Sequence, residues 1–303
     1  MRKHMSGSSG LHTTRKLAWT GFLFTLPFLV LFLIFTVLPV LESAWLSLTN
    51  YNMMESGQWV GFDNYFNLFT NDDVFLIALK NTLLFALLVG PAGLVLSFIF
   101  AYVISQLKFK TGFALAFYAP SITSSIALSA VWLYFFSPDR YGLLNDLLYS
   151  LGIINSPILW TTDPQYIFIV VVIITLWMSM GTGFLTFLAG IQNVSAELYE
   201  AGMIDGVRNK FQQLIYITLP SMKPQLLFGV INAVASSFGA FDIVVAVAGI
   251  PSPNYAAHTL VAHLYDHAFL QFEMGYASAV AVVLFVLTYS VGSIFRKILA
   301  SDD

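Results

Sequence analysis

Few side chains in this sequence could make or break a covalent bond. There is no cysteine, which removes thiol nucleophiles, zinc–thiolate sites and disulfides together. No Gly-x-x-x-x-Gly-Lys-Ser/Thr loop is present, so nucleotide phosphates have no cradle here. His263 and His267 stand four residues apart, on one face if the segment is helical, which is metal-ligand spacing. His258 is near and Asp266 adjacent, but the segment is short of further ligands and no metal is assigned. Asp242 is the one carboxylate inside a long apolar block. An ionisable residue in a membrane span is a functional candidate by default. Asp242 could hold a proton or cation for an ion-coupled secondary transporter. No second membrane carboxylate or basic residue partners it, which favours a structural or path-lining role. An intramembrane enzyme would need a nucleophile–base pair or a metal cluster within the apolar blocks, and neither is visible.

Two small clusters have chemistry suited to binding rather than catalysis. Trp177, Met178, Ser179 and Thr182 combine an aromatic ring with small polar groups in one apolar block. Ser236, Ser237, Phe241 and Asp242 are their counterparts in the next. Sugars suit such a lining, because rings stack on aromatics while hydroxyls take directional hydrogen bonds. Small residues also serve plain helix–helix packing in membranes, so spacing alone leaves both uses open.

The strongest interruption of the apolar pattern is Ala196–Pro224. Ser195 is placed to cap a helix, with Glu197 in its first turn. That helix is expected to run to about Asp205, with Gly206 as the residue that turns the chain. A second short helix, about Val207–Tyr216, is expected to end at Ile217-Thr-Leu-Pro220, and Pro224 to open the following span. By spacing alone, an amphipathic hairpin lying on the membrane surface fits equally well.

The elements that must position these residues are membrane helices. The 303 residues are 58% hydrophobic and 10% charged, whereas a soluble domain carries about a quarter charged residues. Six apolar blocks, about 17–41, 81–106, 113–136, 165–191, 225–249 and 274–299, are each long enough to cross a bilayer. The fold class expected is all-α, with six transmembrane helices. Leu17–Val40 is too long for a cleavable signal and no small-residue cleavage site follows it. Residues 1–16 are read as a tail and 17–303 as one transmembrane domain, with a cytoplasmic loop over 192–224. Lys and Arg gather before the first block (Arg2, Lys3, Arg15, Lys16), after the second (Lys108, Lys110), after the fourth (Arg208, Lys210, Lys223) and in the last (Arg296, Lys297). With six spans all of these fall on one side, so both termini and the 192–224 loop are expected in the cytoplasm. The other loops hold only Lys80 and Arg140 among many acids. The net charge of −3 makes nucleic acid an unsuitable partner.

Glu200-Ala201-Gly202, then Gly206, then Ile217-Thr-Leu-Pro220 resembles the "EAA" loop of binding-protein-dependent ABC importer permeases. That pattern is Glu-Ala-Ala, three residues, Gly, about nine residues, then Ile-x-Leu-Pro. Gly202 here replaces the second alanine, and the gap from Gly206 to Ile217 is one residue longer. Further stretches resemble the carbohydrate-uptake group, which includes maltose permease subunits: Gly61-Phe-Asp-Asn-Tyr65, Asn81-Thr82, Ala119-Pro120, Phe241-Asp242, His258-Thr-Leu-Val261 and Gly275-Tyr-Ala-Ser-Ala279. The similarity covers nearly the whole chain from Leu17, without the large outer domain and extra spans of the bigger maltose subunit.

The resemblance implies a type I importer permease fold in a prokaryotic cell membrane, forming half of a translocation path for a saccharide. It implies that the helix at Ser195–Asp205 docks in a groove of an ATPase subunit. Glu197, Glu200, Ala201, Gly202, Asp205, Gly206 and Pro220 would then be the coupling residues. ATP and Mg would sit on that ATPase, with no cofactor and no catalytic residue on this chain. A second, similar permease subunit, an extracytoplasmic substrate-binding protein and membrane lipid complete the implied partners. The segment bearing His263 and His267 is expected to be a surface touching the substrate-binding protein. Trp177, Met178, Ser179, Thr182, Ser236, Ser237, Phe241 and Asp242 approximately match sugar-contacting positions of the maltose permease.

Overall fold

The structure is a computed structural model and describes residues 9–300; the side chains of residues 9–18, Thr182 and 299–300 lie outside what is described. The chain is built of helices. α1 (Ser9–Phe32) runs through a π-helical turn (Leu33–Val37) into α2 (Leu38–Leu46). α1 thus starts inside the stretch expected to be a tail, of which residues 1–8 lie outside the described part. α3 (Asp63–Thr70) leads into α4 (Asp73–Ser105), α5 (Lys110–Ile122), α6 (Ser125–Phe135) and α7 (Leu143–Ser150). α8 (Pro164–Gln192) precedes α9 (Ala196–Ile204), α10 (Lys210–Gln213) and α11 (Leu219–Ser221). α12 (Lys223–Phe238), α13 (Asp242–Ala248), α14 (Leu260–Tyr265) and α15 (Met274–Ala300) complete the order.

Among the described residues, five helical stretches are long and apolar enough to span a bilayer: Trp19–Leu46, Asp73–Ser105, Pro164–Gln192, Lys223–Ala248 and Met274–Ile298. The third expected span is not one straight helix. It is α5 and α6, bent by 98° at a short break, and gives a sixth span only if the pair is counted together. The local cause is in the sequence. Pro120 has no N–H to give to the preceding turn, and Thr123 and Ser124 follow with extended ψ angles of 144° and 126°. Thr123 N–H closes α5 by donating to the Pro120 carbonyl at 3.3 Å.

α4 and α8 pack along each other, and α12 lies against both. One buried cluster at this centre joins Phe85, Ile167, Val170, Ile174 and Val244. A second joins Ala101, Phe184, Phe187 and Met222, nearer the 192–224 loop. Close approach needs small residues where no hydrophobic drive from water exists. A Cβ on Gly93 of α4 would stand 3.0 Å from Ser179 Oγ of α8, so the glycine sets how tightly those helices meet. α15 packs on α12, α14 and α2. The first span is otherwise exposed along its length.

The long segments around Asn64 and Asn145 are pinned by single polar side chains. The Asn64 amide donates to the carbonyls of Ser47 and Thr49, both at 2.8 Å. Asn145, buried, donates to the carbonyls of Ser137, Asp139 and Ile158 and accepts from Ile158 N–H and Trp160 Nε1. A loop with that many backbone groups tied to one amide has a defined course.

Candidate coupling loop, membrane groove and outer polar cluster

The loop between α8 and α12 is assembled around α9. Ser195 Oγ accepts the Glu197 N–H at 3.3 Å and caps its start. At the other end Gly206 takes φ +95°, which L side chains rarely adopt. The turn is closed by Val207 N–H donating to the Gly202 carbonyl at 2.8 Å and Gly206 N–H donating to Met203 at 3.3 Å. Glu197, Glu200, Ala201 and Asp205 are exposed, as is Pro220. Between them α9 also exposes Leu198, Met203 and Ile204, the last at 87%. A short helix outside the spans that shows both acids and large apolar groups has a surface suited to a protein partner.

Two details differ from expectation. The helix after the turn begins at Lys210, not Val207, because Asn209 caps it: its Oδ1 accepts the Gln212 N–H at 2.8 Å. It then does not stop at Ile217–Pro220. It passes through a π-helical turn, Leu214–Thr218, and on to Ser221. A π turn is how a helix absorbs one additional residue without losing its direction. The longer gap between Gly206 and Ile217 is accommodated there. Gly202 also has a use within the loop itself. A Cβ there would stand 2.5 Å from Ile217 Cδ1, so its smallness admits this chain's own π turn. Tyr199 and Thr218 hydroxyls meet at 2.9 Å, and Tyr102 of α4 donates to the Lys210 carbonyl at 3.0 Å. The loop is therefore fastened to a spanning helix.

The structure brings only some of the expected path residues together. Ser179 and Ser236 line one narrow groove among α4, α8 and α12, with Gly90, Ser97 and Asn232. Ser237 is buried and faces a different groove, between α4, α12 and α15. Trp177 packs edge-on against Trp132 with ring centroids 5.2 Å apart, and Met178 lies against the central cluster. Phe241 packs at a tilt of 40° against Tyr265, with ring centroids 5.0 Å apart. Asp242 is exposed in the first turn of α13, just past a break at Gly239–Phe241. A carboxylate is a residue suited to a helix start, where backbone N–H groups lack intrahelical partners.

The third constellation joins stretches far apart in sequence. Asn81 Nδ2 donates to the carbonyls of Tyr255 (2.9 Å) and His258 (3.0 Å), and Leu260 N–H donates to Thr82 Oγ1 at 2.8 Å. Just before α4, Asp72 accepts from Phe75 N–H (2.8 Å) and the Tyr276 hydroxyl (2.7 Å), and lies 3.1 Å from His263 Nε2. His267 Nδ1 is 2.9 Å from Glu273 Oε2. Burial works against ionising Asp72, but the Tyr276 and Phe75 hydrogen bonds and the two histidines outweigh it and hold the carboxyl below its usual range. Burial pushes His263 down to about 4, and the neighbouring His267 adds to this against the pull of Asp72. His258 and His263 are themselves buried, while Phe269–Glu273 of the same segment are exposed. Sequence reasoning missed Asp72, Tyr276 and Glu273. The available signal was Asn71-Asp72-Asp73 directly before an apolar block, a helix-capping pattern.

Comparison with known proteins agrees with this architecture. The family described as binding-protein-dependent transport system inner membrane components matches residues 93–302. "Probable ABC transporter permease protein YesP" of Bacillus subtilis is 33% identical over 278 residues, 90% of this chain and 88% of that protein. "Arabinooligosaccharides transport system permease protein AraP" of the same organism is 32% identical over 303 residues, 98% of this chain and 93% of that protein. A solved bacterial ABC transporter involved in import of the acidic polysaccharide alginate superposes with a TM-score of 0.78 at 21% identity, covering 97% of this chain and 99% of that one. The chain therefore belongs to the inner membrane components of binding-protein-dependent transport systems.

Proposed function

We propose that this chain is one of two permease subunits of an ATP-driven importer for a sugar or oligosaccharide, with α9 as the helix that receives the ATPase stroke. The observation that carries it is the α9 unit: an exposed acidic and apolar helix, capped at both ends, joined by Tyr199–Thr218 to the π turn, in a loop that Tyr102–Lys210 fastens to the spanning helix α4. A push on α9 would thus reach α4 and α12 through fixed contacts rather than a slack loop. The carbohydrate class is supported by relatives named for arabinooligosaccharide and lactose transport, the latter from Rhizobium radiobacter at 31% identity. An extracytoplasmic binding protein is supported by the family description. ATP and Mg belong to the ATPase in this reading, and the lysine and arginine asymmetry supports a cytoplasmic position for α9. Ser179 and Ser236, facing one groove among three spans, are the best-supported path residues.

The test is reconstitution of the complete transporter. Glu200→Ala and Gly206→Val are each expected to cut substrate-stimulated ATP hydrolysis and uptake by at least tenfold. If both variants transport normally and retain the ATPase through purification, α9 is not the coupling element.

A further inference from the structure

Asp72, His263 and His267 are not used by the transport reading. Each offers one ligand atom, and the three atoms lie within 4.8 Å of one another at the outer end of α4, α14 and the π turn that follows α14. We propose that these side chains form a binding site for a divalent transition-metal ion of the zinc class. Zinc takes imidazole nitrogen and carboxylate oxygen at roughly 2.0–2.2 Å in a tetrahedron, which places neighbouring ligand atoms about 3.3 Å apart. Asp72 Oδ2 and His263 Nε2 are already 3.1 Å apart. A small inward movement of His267, which is only partly buried, completes the triad.

The surroundings fit a metal as well as the ligands do. Histidines that bind metal usually donate their other ring N–H to a carboxylate, which fixes tautomer and orientation. His267 has that arrangement: Nδ1 meets Glu273 Oε2 at 2.9 Å, leaving Nε2 for the ion. Asp72 is oriented in turn by Phe75 N–H and the Tyr276 hydroxyl. Two nitrogens and one oxygen, with no sulfur, favour zinc, nickel or copper over calcium or magnesium. The fourth position opens on a cavity of about 440 Å³, also lined by Asn67, Asn71, Tyr255 and Gln271, with room for water or a partner's side chain. The ion would clamp the start of α4 to the segment before α15, two pieces of chain about 190 residues apart.

The experiment uses the full chain in lipid nanodiscs, free of any affinity tag, stripped with chelator and titrated with Zn²⁺ against a chromophoric competitor. One equivalent is expected to bind, and to raise the thermal unfolding midpoint. His267→Ala, at a partly exposed position that the fold tolerates, is expected to weaken binding at least tenfold and abolish that rise. Glu273→Gln should weaken it by about tenfold, the usual cost of losing an orienting carboxylate. The double variant His4→Ala/His12→Ala removes the two histidines of the N-terminal segment and should bind as the parent does. The proposal fails if the parent binds no stoichiometric Zn²⁺, if His267→Ala binds as tightly, or if binding disappears with His4 and His12.

Discussion

Asn81 shows how much one side chain carries in a membrane protein. Its amide reaches across 174 and 177 residues to two carbonyls, and the neighbouring Thr82 accepts the Leu260 N–H. The backbone from Tyr255 to Leu260 is irregular, so its polar groups need such partners to stay buried. Asn81→Ala removes the side-chain donor of the His258 carbonyl and one of two donors at Tyr255, which keeps the His258 N–H at 3.1 Å, and is expected to cost about 1–3 kcal/mol. The check is a lowered unfolding midpoint in detergent. Asn81→Asp should be worse, since it sets a carboxylate against those carbonyls. If Asn81→Ala unfolds with the parent, the bridge is not stabilising. Gly206 is a second case. Its φ of +95° strains any residue with a Cβ, so Gly206→Ala should lose roughly 1–2 kcal/mol from the α9 turn alone.

At the scale of elements, α9 and the π turn act as one unit. Ile217 is buried and sits where a Cβ on Gly202 would otherwise go. Ile217→Ala should free α9 without touching the span core. Faster amide exchange over Ala196–Ile204 is expected, with an unchanged unfolding midpoint for the spans, and weaker coupling to ATP hydrolysis. Unchanged exchange in α9 would show that the contact does not hold it. Much of this unit was legible in sequence: the Ser195 cap, the helix limits and the Gly206 turn follow from local backbone needs. The π turn was not, because an additional residue between Gly206 and Ile217 shows only as a length, and helix and loop absorb length equally well. The long apolar blocks announced the spans, since twenty apolar residues have one use. The 98° bend between α5 and α6 was hidden because Pro120 is tolerated inside membrane helices, and only the extended Thr123 and Ser124 decide that the chain turns. The outer cluster stayed unread for another reason: Asp72 and His263 are 191 residues apart and local pattern carries no information on their meeting.

At the scale of the whole molecule, the question is what supplies the energy for transport. An ion-coupled carrier would need Asp242 to bind and release its ion from within the membrane, held by several convergent ligands. The structure instead gives Asp242 the first turn of α13 beside a helix break, a place where backbone N–H groups suit a carboxylate. Ser179 and Ser236 line a groove whose other walls are Gly90, Ser97 and Asn232, with no carboxylate among its lining residues. Apart from its α2 end, which packs on α15, the first span lies exposed, as a half-assembly would leave it. Proteoliposomes bearing this chain alone, under a proton or sodium gradient, are therefore expected to take up no sugar. Adding the second permease, the ATPase and the binding protein should give uptake that needs ATP inside the vesicle. Asp242→Asn should leave that uptake within about threefold of the parent, since the reading gives the charge a local, helix-start role worth only a few tenths to one kcal/mol. Gradient-driven uptake by the chain alone, abolished by Asp242→Asn, would instead establish the ion-coupled carrier.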